Sequence, residues 1–212
     1  MAGIKMGSLI RTIAINSEDY LFFDELMVIL ISNTSFVMAR EIVNGVRNQH
    51  HTQSQFPFAA INKKEVYSYS YYQLLTKIYD REPINEIEIR VTEKVITNIE
   101  NIPGSTFLNH AQTFNFIRKV ISSSYISFYE KVIGLIEAKY GKDSLPDDLN
   151  FARVVRNAFA HDGKIYIKNR NTPAVSWEGI VYSRENNGKS IFDDFFVVEI
   201  IDLMCTINEY LK

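Results

Sequence analysis

Apolar positions recur every three to four residues along most of this 212-residue chain, the period of a helix with one buried face. Asn16 and Ser17 offer N-caps, and Glu18 and Asp19 follow in the first turn, where the helix dipole favours anions. The spacing predicts a long amphipathic helix from there to about Arg47, ending in the polar stretch "RNQHHTQSQFPF". A second helix is predicted over "YYQLLTKIYD". A third is predicted over "PINEIEIRVTEKVITNIENI", with Pro83 in its first turn, although "EIEIRV" inside it alternates as a strand does. After the break "IPGST", one long helical pattern beginning "FLNHAQTF" closes at Gly141. "DSLPDD" then reads as a helix start: Ser144 caps, Pro146 fits the first turn, and Asp147 and Asp148 sit at the positive end. That helix runs through "FARVVRNAFAHDG" and stops at Gly163.

There the period changes. "KIYIKN" and "AVSWEGIVYS" alternate and are rich in Ile, Val, Tyr and Trp, which predicts a small antiparallel hairpin over residues 164–192 with a third short strand at "KSIF". A final helix, "DDFFVVEIIDLMCTINEYL", closes the chain. The sequence holds no internal repeat, no low-complexity segment and no linker long enough to force a second domain. The expected fold class is therefore mainly all-α: one domain over residues 1–212, a helical bundle with a small antiparallel β-hairpin inserted before its last helix.

Charge and composition narrow the partners. With 23 Lys and Arg against 25 Asp and Glu, the net charge is −2, which argues against a protein whose whole surface grips nucleic acid but leaves room for a local basic site. The single cysteine, Cys205, has no partner for an internal disulfide, sits among apolar neighbours, and points to a reducing cytoplasm. The first twenty residues lack a signal-peptide core. The longest apolar run, "LMVILISNTSFVMA", is broken by Asn33 and too short to span a bilayer, so no membrane partner is expected. Four histidines and one cysteine show no spaced ligand cluster, and no glycine-rich phosphate loop or G-x-S-x-G elbow is present. Neither a metal nor a cofactor is expected.

The chemistry concentrates in "RNAFAHDG", residues 156–163. On a wheel of about 100° per residue starting at Arg153, Phe151, Val154, Val155, Ala158 and Phe159 share one arc, a core face. Arg153, Arg156, Asn157, Ala160 and His161 fall nearly opposite, with the small Ala160 in their midst leaving room for a ligand or another helix. The unpaired carbonyls of the last turn favour an imidazolium at His161 and the arginines oppose it, the balance required of a group that both takes and gives a proton. An arginine there can hold a phosphate and an asparagine can orient it. The same residues also suit an ordinary solvated helix end.

"RNAFAH" resembles the R-x(4–6)-H signature of the HEPN superfamily, including the asparagine directly after the arginine. The resemblance implies a helical, frequently homodimeric protein in which two such motifs face each other. It also implies either a metal-independent endoribonuclease of toxin–antitoxin, phage-defence or CRISPR-associated type, or a non-catalytic module that binds RNA or a partner protein such as an antitoxin. Carried over, it makes Arg156, Asn157 and His161 the catalytic residues. Gly163 stands where the subgroup paired with minimal nucleotidyltransferases carries tyrosine. Arg153 is added from the wheel alone.

From Arg153 to Lys189 seven Lys or Arg face three acids, so Arg153, Lys164 and Lys168 are candidate RNA-binding residues, although a solvated hairpin edge carries the same charges. Trp177 reads as the hairpin's anchor onto the bundle in preference to a base-stacking platform. Tyr67, Tyr69, Tyr71 and Tyr72 beside Lys63 and Lys64 offer either stacking surfaces for unpaired bases or, the commoner use, a half-buried face or a dimer interface. His50 and His51 follow Arg47 and Asn48 at a spacing that does not match the signature.

Overall fold

The computed structural model describes residues 2–43, 55–98, 111–168 and 172–212. They gather into two compact units, residues 1–120 and 121–212. The first is not helical in the main. Its strands β1 (Ala2–Asn16), β2 (Gln55–Ala59), β3 (Glu65–Ser70) and β4 (Glu86–Asn98) form one antiparallel sheet in the order β1-β4-β3-β2, accompanied by helices α1 (Phe23–Val43) and α2 (Tyr71–Tyr79). The chain is thus mixed α/β, and the all-α bundle expected from the sequence is overturned.

The reason is visible in β4. Ile87, Ile89 and Val91 are buried while Glu86, Glu88 and Arg90 are exposed, the two-residue period of a strand with one wet face. That alternation outweighs the helix-start signal of Pro83, and the third predicted helix is a strand. The partner β1 lies far back in the chain, pairing Asn16 with Glu86 and Ala2 with Asn98. Its register shifts around Leu9, and at Gly7 a Cβ would stand 2.8 Å from Cγ2 of Val95, so glycine is required where the strands approach. Asn16 and Ser17 do not cap a helix: the Asn16 Oδ1 accepts from the backbone N–H of Glu18 at 3.0 Å and of Asp19 at 2.7 Å, closing a turn after β1. Helix α1 starts later, at Phe23, and α2 matches the second predicted helix, with the Ser70 side chain accepting from the Gln73 N–H. Phe22, Leu26, Ile29 and Leu30 of the α1 region are fully buried, and the Tyr69 hydroxyl of β3 donates to the Leu30 carbonyl at 2.8 Å.

The helices α3 (Ala111–Tyr140), α4 (Asp147–Ala160) and α5 (Val197–Leu211) dominate the rest, and the second unit takes in α3 from Ile121 onward. Gly141 ends α3 at φ +79°, as its sequence position predicts, and α4 begins directly after Pro146. The Tyr125 hydroxyl donates to the Ala152 carbonyl at 3.1 Å and its ring meets Phe159 edge-on, joining α3 to α4. Strands β5 (Val175–Trp177) and β6 (Ile180–Tyr182) form a hairpin across Glu178 and Gly179, both at positive φ as a two-residue I′ turn demands.

This hairpin is smaller than expected. Lys164 makes an isolated bridge to Ser190, Ile165 donates its N–H to the Lys189 carbonyl, and Ile191–Asp193 is a short 3-10 turn. Residues 164–167 therefore run beside 187–190 instead of pairing with 174–183, and "KSIF" is no third strand. The two-residue turn at Glu178–Gly179 keeps the pairing local to "VSWEGIVY". Phe151 of α4 holds the hairpin, stacking on Trp177 and Tyr182 and packing on Phe195. Trp177 is indeed the anchor, and it is buried. No helix among the described residues is long and apolar enough to cross a membrane.

Candidate site at the end of helix four

Helix α4 carries the motif as the wheel predicts. Phe151, Val155, Ala158 and Phe159 are buried, together with Ala152; Val154 is half-buried; Ala160 and His161 are exposed. The helix ends in a tight reversal. The His161 N–H donates to the Asn157 and Ala158 carbonyls, and the Gly163 N–H returns to Ala158 at 2.9 Å. Asp162 and Gly163 both take positive φ. His161 is consequently the C-cap, its ring meeting Tyr166 edge-on at 6.0 Å.

Arg156 and Asn157 are brought together: Nη1 of Arg156 donates to Oδ1 of Asn157 at 3.2 Å. The remaining edge of the guanidinium is engaged by a residue that local pattern does not reveal. Glu130 of α3 places Oε1 against both Nε, at 2.7 Å, and Nη2 of Arg156. Arg153 turns instead to a neutral partner on its own helix, donating to Oδ1 of Asn150 at 2.8 Å. Lys164 and Lys168 are exposed after the helix end, with the Lys164 N–H donating to the His161 carbonyl at 3.1 Å.

Beside Glu130 in sequence, Tyr129 is buried with its hydroxyl lacking a hydrogen-bond partner among the described residues. Burial pushes this hydroxyl up to about 12, an effect the positive charge of Arg153 partly offsets. The charges of Glu137, Arg156 and Glu130 also reach it, the two carboxylates raising it and the arginine lowering it. Tyr125, one turn earlier and fully buried, is raised well above the ordinary tyrosine range by the same desolvation. Glu130 and Tyr129 were missed because their relation to the motif depends on how α3 packs on α4, and the i,i+4 spacing of Tyr125 and Tyr129 marks only a buried face.

The other sequence candidates separate cleanly. Tyr67, Tyr69 and Tyr71 are core residues of the first unit, while Tyr72 is exposed. His50 and His51 lie outside the described residues. Cys205 is half-buried on α5. The first unit holds a groove of about 400 Å³ between α2 and the start of β4, with Lys77, Glu82, Glu86 and Glu88 in its lining, which the sequence did not suggest. No family model matches the chain, and neither a curated protein nor a solved structure matches it.

Proposed function

We propose that the end of α4 binds an RNA phosphodiester and that the protein is a metal-independent endoribonuclease of the HEPN type, acting in the cytoplasm in a prokaryotic defence or toxin role. The observation that carries the reading is the Arg156–Asn157 hydrogen bond at a helix end capped by an exposed His161. Arg156 supplies the positive charge for a phosphate, Asn157 orients the guanidinium, and His161 exchanges protons with solvent and substrate. In the reaction the ribose 2′-OH loses its proton to a base and its oxygen attacks the adjacent phosphorus. The 5′-oxygen leaves and takes up a proton, and a 2′,3′-cyclic phosphate remains. A homodimer would bring two copies of the motif together, so that one His161 acts as base and the other as acid. Arg153, Lys164 and Lys168 would track the flanking backbone.

The test is incubation of the purified protein with total RNA in excess chelator, beside His161→Ala and Arg156→Ala. Cleavage by the wild type alone is the expected result. Equal cleavage by all three, or none by any, would sink the assigned roles.

One observation favours the second reading, a non-catalytic module that binds RNA or a partner protein such as an antitoxin: Arg156 is already tied to Glu130, as an arginine with a packing role would be. Binding of RNA without cleavage selects that reading.

A further inference from the structure

The contact that the proposed chemistry leaves unused is the one between helices α3 and α4. Glu130 presents Oε1 to Nε and Nη2 of Arg156, the edge of the guanidinium that pairs in a fork with two oxygens of a carboxylate or a phosphate. Nη1 is meanwhile given to Asn157. A phosphodiester approaching Arg156 therefore meets its best hydrogen-bonding edge already filled by a group of the same charge. The backbone on both sides is held: Tyr129 beside Glu130 is buried, and so is Val155 beside Arg156. The side chains themselves are open to water, Glu130 about half exposed and Arg156 about one third.

An ion pair in that setting is easily exchanged, because water screens the attraction and solvates either partner when it parts. It has the features of a placeholder: it fixes the arginine's direction in the empty protein, yet yields to a competing anion. Arg153, hydrogen-bonded to the neutral Asn150, keeps its charge nearby after such an exchange.

We infer that Glu130 is an internal stand-in for the RNA phosphate, which occupies the seat on Arg156 until a phosphodiester displaces it. The inference rests on the reading of Arg156 as a phosphate-binding residue, and it adds a built-in threshold to that site. Only a ligand whose phosphate outcompetes Glu130, helped by contacts elsewhere along the chain, gains Arg156.

The test is binding of a 2′-O-methyl RNA oligonucleotide, which has no free 2′-OH for attack, measured by fluorescence anisotropy with the full chain. Glu130→Gln keeps the shape of the side chain and removes its charge. It should tighten binding about two- to five-fold, the worth of an exposed pair. Asp143→Asn, at an exposed position in the turn after α3, removes an equal charge and should change affinity much less. In the Arg156→Ala background Glu130→Gln should produce no gain, and its melting temperature should match that of the wild type.

Unchanged or weaker binding by Glu130→Gln, where Arg156→Ala does weaken it, overturns the stand-in and leaves the phosphate reading intact. An equal gain from Asp143→Asn also overturns it, since general charge then explains the effect. Absence of binding by wild type and variant alike removes the phosphate seat, and with it both ideas.

Discussion

Gly163 lies against Phe192 so closely that a Cβ on the glycine would stand 2.5 Å from Cε2 of the ring. The position also has φ +73°, which side chains rarely adopt, and the Phe192 ring packs on Phe159 with centroids 5.5 Å apart. This explains why glycine stands two residues after His161. Gly163→Ala should cost about 2–4 kcal/mol in chemical denaturation, from backbone strain and overpacking together. A loss below about 0.5 kcal/mol would mean that the turn tolerates a side chain and that the glycine is not a requirement of the fold.

Arg156→Ala should behave in the opposite way. Its ion pair with Glu130 is partly open to solvent, and the carboxylate it leaves behind is about half exposed. Surface pairs of this kind contribute about 0–1 kcal/mol, so the variant should fold and melt close to the wild type. Circular dichroism melts check this. A collapse in stability would assign Arg156 to the framework and would remove the variant from use as a probe of phosphate binding.

Phe151→Ala should be far more damaging. The ring is fully buried and contacts Trp177, Tyr182 and Phe195, so its removal leaves a cavity between α4 and the hairpin. A loss of about 3–5 kcal/mol is expected. Trp177, the protein's one tryptophan, reports the change directly through its fluorescence. An unshifted emission spectrum with unchanged stability would show that the hairpin is held by other contacts.

The helices α1 to α5 were legible from apolar spacing and punctuation such as Gly141 and Pro146, because each helix forms its hydrogen bonds within one segment. The sheet was not. β4 announced itself only through the alternation of Ile87, Ile89 and Val91, and β1 gave a weaker pattern still, with Leu9 and Ile10 both exposed. A strand is completed by its neighbour, and the neighbour of β1 lies beyond two other strands in sequence. At the site, the segregation of Arg156, Asn157 and His161 from the core face was readable from helix geometry alone. Glu130 was not, since only the packing of α3 on α4 carries its carboxylate to Arg156.

Two buried tyrosines make a paired prediction. The Tyr69 hydroxyl donates to the Leu30 carbonyl and also shares a 2.7 Å hydrogen bond with Thr34. Tyr69→Phe leaves these groups without it and should cost about 1–3 kcal/mol. The Tyr129 hydroxyl has no hydrogen-bond partner among the described residues, so Tyr129→Phe should be neutral or stabilising by up to about 1 kcal/mol. Denaturant titration of the two variants separates the cases. A loss above about 1 kcal/mol for Tyr129→Phe would show that its hydroxyl is satisfied, for instance by water.

Tyr129 also sets a pH dependence whose sign is fixed. Its folded-state value is pushed up to about 12 by burial, above the ordinary value of 10.0, so the unfolded chain loses this proton first. The unfolded state then binds fewer protons than the native state between those two values, and stability must fall with rising pH. The contribution is fully present below about pH 10 and is lost as pH rises through about 12, removing up to about 3 kcal/mol from this group alone. Tyr69, Tyr125 and Tyr182 are raised chiefly by burial as well, and they act in the same direction. Urea titrations between about pH 9 and about pH 11 should show a falling stability whose slope is shallower in Tyr129→Phe than in the wild type. Equal slopes in the two proteins would mean that the Tyr129 hydroxyl ionises in the folded state as readily as in the unfolded chain, which requires water or a cation to reach it.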